Sequence, residues 1–184
     1  MKRIIITLIA GILCVSLSAC GLETQPTKEV GSPTAENKVT ESETTKTTAA
    51  KENSSFGLNE TAVFKELKFT ATEIKETKGT EYFKPDSGNV FVGVRFTVEN
   101  ISDEEQTVSS ILLFDGYVDD VKADYSFTAV CAFSDDQLDG TIAPGKKLIG
   151  WYALEVPKDW KTIELHVKSN WLSGSSAQFV FQNS

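Results

Sequence analysis

The chain has 184 residues, with 18 Lys and Arg against 26 Asp and Glu, a formal net charge of −8 and a single histidine. Such an acidic surface is repelled by nucleic-acid phosphates and anionic headgroups, which argues against a nucleic-acid partner and against polybasic attachment to a membrane. Three cysteines and one histidine also offer no Cys/His spacing for a structural metal, and no cofactor is expected.

The N-terminus opens with Lys2 and Arg3, followed by an apolar run from Ile4 to Val15 that is short for a membrane span but suits a secretory leader. Leu17-Ser18-Ala19-Cys20 comes directly after it. This start resembles the bacterial lipoprotein precursors, whose lipobox reads Leu-small-small-Cys. The resemblance implies a leader over residues 1–19, cleavage before Cys20, and a diacylglyceryl thioether on the Cys20 sulfur. Two acyl chains anchor stably where one is marginal. The membrane partner is therefore reached through Cys20, and the expected location is the extracytoplasmic face of the cell membrane, on a Gram-positive surface. An ordinary cleaved signal peptide is the plain alternative. Loss of Lys2 and Arg3 with the leader takes the charge from −8 to −10. Cys14 leaves with the leader and Cys20 is committed to lipid. Cys131 then stands alone, so no internal disulfide forms.

Residues 20–55 follow as the lipidated cysteine and a Thr/Lys/Glu-rich stretch. After Cys20 it holds eight threonines, Pro26 and Pro33, no aromatic residue, and only Leu22, Val30 and Val39 as large apolar side chains. Too little apolar area is available to offset the entropy of ordering, so a disordered tether is expected here.

From Phe56 to the C-terminus the texture changes to aromatic and β-branched residues alternating with polar ones. Residues 89–99 are clearest: Val90, Val92, Val94, Phe96 and Val98 fall on one face, and Gly93, Arg95, Thr97 and Glu99 on the other. Residues 162–168 repeat this period of two. Residues 147–156 form another strand, bounded by Pro144-Gly145 and Pro157, with residues 66–74 early and 177–181 late. Weaker candidates are residues 108–114 and 126–133. No segment carries convincing helical periodicity. About seven short strands in residues 56–184 predict one all-β domain, an immunoglobulin-like β-sandwich.

The order of short motifs adds a second resemblance. Leu67 and Phe69 lie on an early strand, followed by Val92-Gly93-Val94-Arg95-Phe96-Thr97-Val98-Glu99-Asn100. Leu113-Phe114-Asp115-Gly116 comes next, and then Ala143-Pro144-Gly145 and Leu154-Glu155-Val156-Pro157. This is similar to the immunoglobulin-like extracellular domain of unknown function found in bacterial lipoproteins of the immunoprotective-antigen-like type. The resemblance implies a β-sandwich and an exported location, and it carries no catalytic residues to transfer. Residues 117–140 are longer than a minimal version needs.

Candidate chemistry is sparse. His166 would have to serve any histidine-dependent nucleophile system, yet the strand pattern turns it outward beside Glu164 and Lys168. Cys131 alternates in step with Phe127, Ala129 and Phe133, which predicts a buried small apolar side chain rather than a reactive thiol. Acidic residues gather at Asp115, Asp119, Asp120 and Asp124, and again at Asp135, Asp136 and Asp139. The second group mimics the start of an EF-hand loop, but Lys146 stands where the bidentate glutamate belongs, leaving only a looser calcium site as a candidate. Trp151, on the face of its strand expected to be less buried, and Trp171-Leu172, in a loop rich in Ser and Gly, are candidates for partner contact. The bland reading of Trp171 is a plug for the open end of the sandwich.

These features predict a membrane-anchored extracytoplasmic lipoprotein that presents a non-catalytic binding or interaction domain to a cell-surface protein or glycan. The alternative is a calcium-dependent or carboxylate-based hydrolase using the acidic loops.

Overall fold

The computed structural model describes residues 27–30, 55–133, 136–172 and 175–183. The leader, Cys20 and most of residues 20–55 lie outside the described residues. In chain order the elements begin with β1 (Thr27–Val30), β2 (Ser55–Phe56), β3 (Glu60–Val63), β4 (Leu67–Thr77) and β5 (Asn89–Asn100). Next come β6 (Gln106–Val108), α1 (Ser110–Leu113), β7 (Phe114–Val118), β8 (Val121–Ala123) and α2 (Phe127–Phe133). The chain closes with β9 (Gly140–Ile142), β10 (Lys147–Pro157), β11 (Thr162–Val167) and β12 (Ala177–Gln182).

The strands expected at 66–74, 89–99, 147–156, 162–168 and 177–181 are β4, β5, β10, β11 and β12. They build two five-stranded sheets, ordered β1-β3-β4-β5-β10 and β2-β12-β11-β7-β8, with β6 and β9 as a separate ribbon. The fold is an all-β sandwich, with twelve strands among the described residues rather than about seven, because several are only two to five residues long. All pairings within the two sheets are antiparallel except the short parallel one between β2 and β12. Thr27–Val30, inside the stretch expected to be disordered, instead pairs with β3 in the register Thr27↔Val63 to Val30↔Glu60.

The period-two faces meet in one core. On β5, Val90, Val92, Val94, Phe96 and Val98 are buried together, as the alternation requires. Phe96 packs edge-on against Phe114 at 5.3 Å and Phe179 at 5.2 Å, so a single ring of the first sheet touches two strands of the second. Phe69 extends the chain of rings to Phe64 at 5.8 Å and Phe114 at 6.0 Å. Each such fully buried side chain contributes about 1.5–3 kcal/mol, which lets the core hold without a crosslink.

At the end of β5 the fold is locked by a buried amide. Asn100 Nδ2 donates to the carbonyls of Glu104 at 2.7 Å and Ile142 at 2.8 Å, and Oδ1 accepts from Ser102 N at 2.9 Å and Ser102 Oγ at 2.8 Å. Both donors and both acceptor positions are filled, which is what allows a polar side chain to be fully buried.

Two expectations are corrected here. Residues 126–133 are not a strand: the Ser126 side chain accepts from Ala129 N at 3.2 Å, its carbonyl accepts from Val130 N at 3.1 Å, and α2 follows. Residues 108–114 divide into the end of β6, the single turn α1 and the start of β7. α2 lies on the outer face of the first sheet, where glycine makes room. A Cβ on Gly93 would sit 2.7 Å from the Phe133 ring, and a Cβ on Gly150 would sit 2.5 Å from the Gln137 backbone. A second small core forms there from Phe91, Ala129, Val130, Trp151 and Ala153. Cys131 is accordingly half-buried on a helix, its free thiol away from the alternating face assigned to it.

Candidate functional site

One cleft of the sandwich begins with a turn. Asp119 and Asp120 both have positive φ, 47° and 68°, the conformation a two-residue type I′ hairpin demands. That hairpin folds β8 back along β7 and brings Lys122 opposite Tyr117. The Asp119 carboxylate accepts from the backbone N–H of Lys161 at 2.9 Å and Thr162 at 2.8 Å, tying the turn to the start of β11. Gly116, facing inward on β7, leaves room for the next strand over. A Cβ there would lie 3.0 Å from the Ala123 carbonyl and 3.3 Å from the Tyr152 hydroxyl.

The result is a cleft of about 270 Å³ between α1, β7, β8 and β10. Its aromatic wall is Phe114, Tyr152 and Tyr125. Phe114 and Tyr152 stack at 5.0 Å and 20°, and Tyr125 tilts against Tyr152 at 5.5 Å. Burial pushes the Tyr152 phenol far above its ordinary value, with the negative charges of Asp115 and Asp124 adding to the effect. Burial, aided by Asp139, also raises Tyr125. Both phenols are therefore neutral at physiological pH; Tyr152, 2% exposed, is the floor of the cleft and Tyr125 its accessible ring. Asp115, Asp124 and Lys122 supply the polar lining, and Ile111 the apolar lip.

Asp115 is clamped between two ammonium groups, Lys168 Nζ at 2.8 Å and Lys122 Nζ at 2.9 Å. Hydrogen bonds from Lys168 and then Lys122 hold its carboxyl below the usual carboxylate range. Chemically, the site joins a stacking surface to a fixed carboxylate with two cations. That combination suits the face of a sugar ring or a single polar side chain.

The residues singled out from the sequence are dispersed. Asp136 pairs with Arg95 at 3.3 Å, and Asp139 accepts from Ser110 N and Ser110 Oγ at 2.8 Å each. Asp135 lies outside the described residues. Among the described residues no group of three His, Cys, Asp or Glu side chains is placed to hold a metal ion. Trp151, expected on a less buried face, is only 6% exposed because α2 covers that face. Its ring stacks on Phe133 at 4.9 Å, with the Arg95 guanidinium 6.0 Å from its centre. Trp151 thus offers no surface for partner contact. Trp171 and Leu172 are 67% and 76% exposed, so Trp171 does not plug the sandwich. His166 faces outward as expected, tilted on Tyr117 at 5.1 Å, with Nε2 3.6 Å from Glu164 Oε2.

The cleft residues Gly116, Lys122, Tyr125 and Tyr152 carry no motif that marks them as a set. The one available signal was the acidic pair Asp119-Asp120 between two apolar-alternating runs, a weaker hairpin mark than Asn-Gly or Asp-Gly.

Comparison with solved structures finds the same architecture elsewhere. The ycdA protein of Bacillus subtilis, a candidate lipoprotein, superposes with a TM-score of 0.52 at 19% identity, over 64% of this chain and 36% of that one. This chain thus spans about a third of that protein. The yjhA protein of Bacillus subtilis gives a TM-score of 0.51 at 17% identity, over 70% of this chain and 98% of that one. A conserved hypothetical protein from Bacillus anthracis gives 0.50 at 15% identity, over 67% and 94%. At these identities the likeness is one of fold. A comparison with curated proteins found no match. The family model described as "Domain of unknown function (DUF4352)" matches residues 56–177, from the first residue of the sandwich core into β12, and the chain belongs to that family.

Proposed function

We propose that this chain is a lipoprotein held at the extracytoplasmic face of the cell membrane through a diacylglyceryl group on Cys20. Its sandwich is a non-catalytic binding domain whose ligand seat is the cleft between β7, β8 and β10. The anchor is supported by the Leu17-Ser18-Ala19-Cys20 motif and by the presence of a candidate lipoprotein among proteins of like fold. No helix among the described residues is long and apolar enough to cross a membrane.

One observation carries the binding reading: two neutral tyrosines stand beside a carboxylate already neutralised by Lys122 and Lys168. A carboxylate so paired is a poor proton acceptor and a good fixed hydrogen-bonding partner. The volume sits near the lower limit of small-molecule sites, enough for one sugar ring or one side chain of a surface partner.

The test is titration of the full chain with cell-wall glycan fragments and short peptides, followed by calorimetry and by analysis of the recovered ligand. Binding that weakens at least about tenfold in Tyr125→Ala and Lys122→Ala, with the ligand recovered intact, supports the reading (about 1.4 kcal/mol). Binding untouched by both substitutions, no binding at millimolar ligand, or a chemically altered ligand overturns it.

A further inference from the structure

We infer that the end of the sandwich carrying Leu112, Trp171 and Leu172 rests against the lipid bilayer, with Trp171 and Leu172 seated in the headgroup interface as a second, non-covalent attachment. The inference rests on the proposed anchorage at Cys20.

Strand registers define the two ends. Across the first sheet one row runs Thr27↔Val63, Val63↔Lys68, Lys68↔Glu99 and Glu99↔Lys147. Thr27, the first described residue, therefore sits one row from Leu67↔Asn100 at the end of β5. In the second sheet the same end is where β7 begins and β11 stops, since the rings of Phe64, Phe69 and Phe114 run from the end of β3 to the start of β7. Lys168 N donates to the Leu113 carbonyl at 2.9 Å, which brings the connection from β11 to β12 beside α1. The opposite end holds Asn89↔Pro157 and the Asp119 hairpin, whose backbone N–H bonds the Thr162 carbonyl.

Seven residue steps separate Cys20 from Thr27, a reach of at most about 25 Å even fully extended. A five-stranded sheet is about 19 Å wide, so every strand at this end can approach the surface, while the far end stands about 36 Å beyond. The chain length thus selects one end of the molecule to face lipid.

That end exposes large apolar side chains. Leu112 on α1 is 58% exposed, and Trp171 and Leu172, in the connection from β11 to β12 at the same end, are 67% and 76% exposed. Of the lysines at this end Lys168 pairs with Asp115, Lys147 with Glu99 and Lys65 with Glu66, and the turn after β5 adds the exposed carboxylates Asp103, Glu104 and Glu105. Contact is therefore driven by apolar burial and by the preference of tryptophan for the interface, not by anionic lipid. The covalent anchor keeps the local concentration of bilayer high, so a patch too weak to bind alone is occupied.

The experiment uses the full lipidated chain in phosphatidylcholine vesicles with and without brominated acyl chains. Trp151 and Trp160 are buried, so bromine-dependent quenching reports Trp171. The expected result is quenching in the native chain that persists in high salt and is lost in Trp171→Phe. The far-end variant Val121→Ser should leave it unchanged. Protein that floats with the vesicles but shows no quenching overturns this inference alone. Protein that fails to float, with Cys20 unmodified by mass, overturns the anchorage and this inference with it. Quenching that survives Trp171→Phe also overturns it.

Discussion

Gly150 offers the sharpest test of how the outer layer is held. It pairs with Phe96 in the middle of β10, and a Cβ at this position would meet Gln137 C and O at 2.5 Å and Leu138 N at 2.6 Å. All three atoms are backbone, so no side chain can swing away. The segment they belong to is pinned by Trp151 N donating to the Asp136 carbonyl at 3.0 Å, by the Gln137↔Trp151 bridge and by buried Leu138. Overpacking costs about 1–3 kcal/mol, and loss of the pinning hydrogen bond about 1 kcal/mol more. For a domain of about 130 residues, a loss of about 2–4 kcal/mol lowers Tm by about 8–16 °C. Thermal unfolding of Gly150→Ala followed by circular dichroism reads this directly. Gly57→Ala, whose Cβ would meet only Glu60 Oε2 at 3.8 Å, serves as the neutral comparison. A Gly150→Ala protein melting within about 2 °C of the native chain would refute the packing argument.

Three further outcomes follow from the polar interior. Asn100→Ala removes the buried bond to the Ile142 carbonyl and the acceptor of Ser102 N, while Ser102 Oγ still reaches the Glu104 carbonyl at 3.0 Å, and urea unfolding should show a loss of about 2–3 kcal/mol. Asp115→Asn tests the lysine clamp through pH. The native carboxyl titrates below its ordinary 3.8, so its stabilisation is complete above that value and vanishes as pH falls through the lower folded one. Native chain and variant should therefore differ at neutral pH and converge in acid; parallel curves across the whole range would remove the clamp. Tyr152 works in the opposite direction. Its folded phenol titrates above the ordinary 10.0, so stability is full below that pH and declines above it. Alkaline absorbance titration should show a delayed tyrosinate step that coincides with unfolding and is missing in Tyr152→Phe.

The long strands were legible because burial on a single face imposes a period of two. Ile163, Leu165 and Val167 on β11 record it in burial without interruption, and Val90 to Val98 on β5 record it in sequence although α2 also buries Phe91 on the opposite face. α2 was not legible for the same reason. Phe127, Ala129, Cys131 and Phe133 alternate by accident, whereas the burial that matters falls on Ala129 and Val130, with Phe133 packed beside them at helical spacing. Ser126 in the capping position was the signal available, outweighed by β-branched and aromatic neighbours. Trp151 was misplaced because its exposure depends on whether anything covers β10, and that depends on Gly93 and Gly150 clearing space for a distant segment. Short strands such as β6, β8 and β9 hold three residues each, too few to display any period. The cleft is assembled from α1, β7, β8 and β10, and such convergence leaves no spacing to read.

β10 is the last strand of its sheet, eleven residues long, with five consecutive buried positions from Gly150 to Leu154. An uncovered border of that length and apolarity invites pairing with a second molecule. Tyr125 bridges to Leu154 and Gln137 to Trp151, while Ser126 N bonds the Ala153 carbonyl, so the segment on either side of α2 fastens along that border. On the proposed anchor, molecules crowded in two dimensions by lipid tails would meet far more often than in solution. α2 and its flanks therefore act as a guard against self-association, and loosening them should first appear as clustering rather than unfolding.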